Sequence, residues 1–166
     1  RILKEGDRVG GVVFADEGTD IIYPKRDRKN ILRFLDKIVN RNKELQHSAP
    51  VDFEPSLNAV FAKIRNLVTH DFLILIISDF HRYHPQTIKD IAYLSRHNDL
   101  ILAKVFDPME REIPRANIVA SDQSRQSLLP GKQKKNRDRF HEGVESEFIA
   151  FQSKMKKYRI PVFRID

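Results

Sequence analysis

The chain has no cysteine among its 166 residues, which excludes a disulfide framework, a thiolate zinc site and a cysteine nucleophile. It also lacks any apolar run approaching the roughly 18 to 20 residues of a membrane-spanning helix. Its first residues show no basic start, apolar centre and small-residue cleavage site, so no signal peptide is read there. No glycine-rich phosphate loop and no Gly-x-Ser-x-Gly elbow occur, so neither nucleotide binding nor hydrolase chemistry has a motif to stand on, and no catalytic residue is assigned. Internal repeats and low-complexity tracts are missing as well. What remains is a chain of 40% hydrophobic and 32% charged residues, the composition of a globular protein with a heavily charged surface. Its length suits one domain spanning residues 1–166, and the lack of cysteine fits a cytoplasmic setting.

The longest apolar stretch is Phe72-Leu73-Ile74-Leu75-Ile76-Ile77, which stops at Ser78-Asp79. Six apolar side chains in a row, three of them β-branched, suit a strand buried on both faces of a parallel α/β sheet. Asp79 then stands at the strand's C-terminal end, the edge at which open α/β sheets bind ligands. Asp107 ends a second apolar strand in the same way, and both residues are candidates for partner binding. His81 follows Asp79 by two positions and joins them as a residue on the rim of that face. An acid ending a strand also serves as a helix cap or a loop solubiliser, so position alone does not decide its role.

The rest of the chain alternates between strand and helix patterns. Residues 8–15 and 19–23 read as strands joined by Asp16-Glu17-Gly18 into a hairpin. Asp27 caps a helix whose apolar face is Ile31, Leu35, Ile38 and Val39, and a polar stretch covers 40–50. A helix beginning at Leu57 precedes the apolar strand, and Pro85 opens the helix after it. Residues 99–106 form another strand, 118–120 a short one, and 124–131 an irregular link. Apolar residues then recur from Phe140 to Tyr158 at helical spacing, and 160–165 close the chain as a strand. Alternation of this kind points to an α/β class.

Charge is uneven. The net is +7, and residues 124–166 hold eleven Lys/Arg against five Asp/Glu. The basic cluster between Lys132 and Arg139 has few aromatics and no accompanying RNA-binding signature, so a solvated helix start is expected there rather than a specific nucleic-acid site.

The ordered motifs Gly6-Asp7-Arg8-Val9-Gly10, Val13-Phe14, Pro24-Lys25-Arg26, Ile77-Ser78-Asp79-Phe80, His97-Asn98-Asp99 and Asp107-Pro108-Met109-Glu110 resemble the bacterial domain-of-unknown-function fifty-eight family. The resemblance runs from about Gly6 to the last strand. It implies a von Willebrand factor A-like domain, a doubly wound, mostly parallel sheet with one antiparallel edge strand. It further implies a non-enzymatic interaction module that works with a MoxR-type AAA+ ATPase in chaperone-like maturation or assembly of a client protein.

In von Willebrand factor A domains, three loops supply oxygen ligands to Mg²⁺, which prefers octahedral oxygen coordination. Asp79 falls on the third of these loops. Ser56 lies near the second, where the pattern has Thr, and it is also placed to cap the helix at Leu57. The chain begins without Met and reads at its start as the last turn of a helix stopped by Gly6. By the resemblance, the first strand and its Asp-x-Ser-x-Ser loop are therefore missing. Asp79 and Ser56 are the metal candidates of an incomplete site, with no cofactor expected in this chain and Mg²⁺ reserved for a longer parent.

His81 and His84 form a second, weaker metal reading. The alternative in another functional class is a metal-dependent hydrolase or nuclease built from Asp16, Asp79 and Asp107, which would require those carboxylates to converge. Loss of the first strand leaves two expectations for the strands 8–15 and 72–77. Either they close up against each other, or a second copy of the chain fills the gap as a homodimer.

Overall fold

The computed structural model describes residues 5–15, 18–44, 57–80, 83–106, 114–121 and 126–165. They form a mixed α/β protein that divides into two compact units, residues 1–69 with 82–91 and residues 70–81 with 92–166.

In the first unit, β1 (Val9–Ala15) and β2 (Gly18–Lys25) pair antiparallel as the expected hairpin, with a register irregularity between Val9 and Gly11. A side chain at Gly10 would lie 2.5 Å from the Ile22 carbonyl oxygen, and one at Gly11 would run into the Phe34 ring. Both glycines therefore allow close approach, Gly10 to the partner strand and Gly11 to helix α1 (Arg28–Glu44). Asp27 caps α1 by accepting a hydrogen bond from the Lys29 N–H at 3.0 Å. The buried Asn30 pins the helix to the hairpin, its amide donating to the carbonyls of Val9 and Tyr23, each at 2.9 Å.

The apolar face expected for α1 is not buried. Leu35, Ile38 and Val39 are all exposed, because the helix meets the hairpin through Asn30 and Phe34 instead. Helix α2 (Leu57–Leu67) begins at the expected residue and buries Val60 and Phe61. Helix α3 (Pro85–Leu94) opens on proline as anticipated. Thr87 accepts the His84 N–H at 3.0 Å, and the buried Asp90 accepts from Arg65 of α2 at 3.3 Å.

The second unit holds the parallel sheet β3 (Leu73–Ser78), β4 (Asp99–Val105) and β7 (Val162–Ile165), in the order β3-β4-β7. A further antiparallel pair joins β5 (Asn117–Ser121) to β6 (Gln126–Pro130), so a strand stands where an irregular link is expected. Helix α4 (Lys134–Lys156) starts in the basic segment and buries Phe148, Phe151 and Met155.

Register sorts the sheet into two faces. Ile76, Leu102 and Val162 share one, as do Ser78, Lys104 and Arg164 further along. On this face lies α4, with Phe148 4.4 Å from the Arg164 guanidinium. The opposite face carries Leu73, Leu75, Ile77, Val105, Phe163 and Ile165, all of them exposed. The expectation that β3 is buried on both faces is thus corrected: a helix covers one side and the apolar run continues on the other.

Among the described residues the strands pair as β1-β2, β3-β4-β7 and β5-β6, a parallel sheet accompanied by two antiparallel pairs, so that β1 is paired with β2 and β3 with β4.

Candidate functional site

The end of β3 displays its acid on a fixed corner. Phe80 takes a positive φ of 50°, rare for a residue with a side chain, and this turns the chain so that its ring is fully buried against Phe151 with centroids 5.0 Å apart. The Ser78 hydroxyl oxygen accepts the Phe80 N–H at 3.1 Å, and the hydroxyl lies 3.4 Å from the Asp79 carboxylate, to which it donates. Between these anchors the Asp79 side chain is exposed. The Lys104 ammonium, on the residue paired with Ser78 across β3 and β4, donates to the Asp79 main-chain carbonyl.

Two cations that the sequence reading passed over complete this edge. Lys104 lies 4.9 Å from the Phe106 ring centroid. Arg164, its register partner on β7, stacks between Phe106 at 5.0 Å and Phe148 at 4.4 Å, and donates to Glu145 of α4 at 2.8 Å. Cation–π contact and the paired carboxylate hold the guanidinium in place. The signal was present in the sequence, since Lys104 and Arg164 are the basic interruptions of otherwise apolar strand ends.

Of the residues singled out from the sequence, only Asp79 and His84 fall within the described part of the chain. Asp16, Ser56, His81 and Asp107 lie outside it. His84 is exposed, and its backbone N–H is engaged at the start of α3.

The described donors around Asp79 are one carboxylate and one hydroxyl beside an ammonium, which do not fit a divalent cation that takes its ligands from several oxygens. Among the described residues no group of three or more His, Cys, Asp or Glu is placed to hold a metal. No described helix is long and apolar enough to cross a membrane.

Comparison with known proteins gives three findings. No curated protein matches the chain. A crystal structure of a conserved hypothetical protein, BatB from Bacteroides thetaiotaomicron, is similar to it at 12% sequence identity and a TM-score of 0.48, over 100% of this chain and 75% of that one. Residues 1–148 match the family described as "Protein of unknown function DUF58", and the chain belongs to that family.

Proposed function

We propose that this chain is a non-enzymatic protein-interaction module that uses the C-terminal edge of the β3-β4-β7 sheet to engage a partner, with Asp79 as the contact residue. One observation carries the reading: Asp79 is exposed on a corner whose neighbours are fixed, Phe80 by burial and Ser78 by hydrogen bonding. A carboxylate held out in this way gains a partner's cation or hydrogen-bond donor without losing much side-chain freedom.

The partner we propose is a MoxR-type AAA+ ATPase, acting with this chain on a client protein in chaperone-like maturation or assembly. Support for it comes from the family resemblance alone. The parallel arrangement of β3, β4 and β7 is in keeping with a von Willebrand factor A-like, doubly wound domain, which we propose as the parent architecture. Asp107 and His81 are assigned to the same face by their places in the sequence.

Capture of a purified MoxR-type ATPase by the immobilised protein tests this reading. Asp79→Ala is expected to weaken capture about tenfold or more, as loss of a charged hydrogen-bonding anchor does, with an unchanged circular dichroism spectrum. Equal capture by a folded Asp79→Ala protein overturns the assignment of Asp79.

A further inference from the structure

We infer that Gly143 is a joint built into α4, about which residues 134–142 open as a unit while residues 145–156 stay on the sheet. The inference is independent of the Asp79 reading, and it gives the basic segment a movement of its own.

The anchors of α4 on the sheet lie beyond Gly143. Its buried side chains are Phe148, Phe151 and Met155. Glu145 accepts from Arg164 of β7 at 2.8 Å, and Gln152 donates to the Val162 carbonyl at 3.4 Å. Ahead of Gly143 no residue of the helix is buried. Arg137 there turns back on its own segment, to the carbonyls of Gly131 and Lys132 six and five residues before it.

The first half is also weakly built as a helix start. Gln133, at the N-cap, makes no side-chain cap bond, and the first turn carries no acidic residue. Lys134 and Lys135 stand instead at the positive end of the helix dipole, and Lys135 precedes Arg139 by four positions, a like-charge pair on one face. Asp138 and Glu142 offset only part of this charge.

Nothing in the packing calls for glycine at 143. An added Cβ would meet nothing within 4 Å, and glycine inside a helix weakens it relative to alanine because it gives up more backbone freedom on folding. The Ser146 hydroxyl donates to the Gly143 carbonyl at 2.8 Å, a back-bond that competes with the helix ladder and favours bending. The weakest point of the helix thus coincides with the boundary between its anchored and unanchored parts. Opening there releases Lys134, Lys135 and Arg139, all exposed, as a basic arm. It leaves in place Phe151, the ring on which Phe80 of the Asp79 corner packs.

Hydrogen exchange read by mass spectrometry tests the joint, on the whole chain and over urea concentrations well below the unfolding midpoint. Relative to their intrinsic rates, amides of 134–142 are expected to exchange about a hundredfold or more faster than those of 148–156. Their exchange is expected to change little with urea, because a small opening exposes little surface, while that of 148–156 accelerates. Gly143→Ala is expected to slow exchange of 134–142 about fivefold, the ratio set by alanine's helix preference over glycine.

A single rate and a single urea dependence along the whole helix would show that α4 opens only as one piece, and would overturn the proposal. Unchanged exchange of 134–142 in the Gly143→Ala protein would make the movement plain fraying from the helix start, and would overturn Gly143 as the joint.

Discussion

At the scale of single residues, polar side chains join Phe34 in holding α1 to the hairpin. Asp20 on β2 accepts from Lys37 at 3.2 Å and from Arg41 at 2.9 Å, and Arg41 also meets Glu44 at 3.1 Å. Lys37 first and Arg41 second hold the Asp20 carboxyl below its ordinary value of 3.8, against the opposing effect of desolvation. A carboxyl whose pKa is lower in the folded state stabilises the fold above its unfolded pKa, and that contribution disappears as pH falls through the folded value. Asp20→Asn is therefore expected to lower the melting temperature at neutral pH, with the gap from the parent protein closing as the pH drops below about 3.8. A gap that is constant across an acid titration followed by thermal melting contradicts this. Nothing in the sequence separated Asp20 from the other acids, because the residues that define it lie 17 and 21 positions away and meet it only once the helix folds back on the hairpin. Asp79 was legible for the opposite reason, since its role depends on where an apolar run stops.

At the scale of elements, local pattern was a good guide to type and a poor one to environment. The hairpin, the Asp27 cap, the start of α2 at Leu57 and the Pro85 opening of α3 all follow from turn and cap chemistry that acts over a few residues. The strand β6 was missed because its apolar residues, Leu128 and Leu129, make too short a run to mark it. The faces of α1 and β3 were misread for a different reason. Hydrophobic periodicity reports which side chains seek cover, and the partner that provides the cover is not part of the pattern. Gly10 shows the local logic in its sharpest form. An added methyl there meets main-chain atoms, the Ile22 carbonyl oxygen at 2.5 Å and the Pro24 nitrogen at 2.7 Å, and paired backbone does not yield as the tip of a flexible side chain does. Gly10→Ala is expected to cost about 1–3 kcal/mol, the range for overpacking a close contact, read as a shift of the urea midpoint. An unchanged midpoint would mean that β1 and β2 separate at this irregular register at no cost.

At the scale of the whole molecule, the net charge of +7 invites a reading as a nucleic-acid binder. The start of α4 argues for a simpler one. Lys132, Lys134, Lys135 and Arg139 are exposed along a solvated turn, while Arg137 is turned inward to donate to the carbonyls of Gly131 and Lys132, at 2.6 and 3.2 Å. Exposed ammonium groups attract phosphates by releasing condensed counterions, an effect that carries no base information and fades steeply with salt. A site that reads sequence needs side chains set against base edges or stacked on bases, and this segment sets exposed cations among polar residues, with Phe140 the first aromatic after them. Duplex DNA of any sequence is therefore expected to be retained at about 0.05 M salt and released by about 0.2 M. Replacing Lys134 and Lys135 with Ala is expected to flatten the slope of log affinity against log salt by roughly two contacts' worth. Filter binding across a salt series measures both quantities. Tight retention of one sequence over others at physiological salt would reverse the conclusion and make α4 a recognition element.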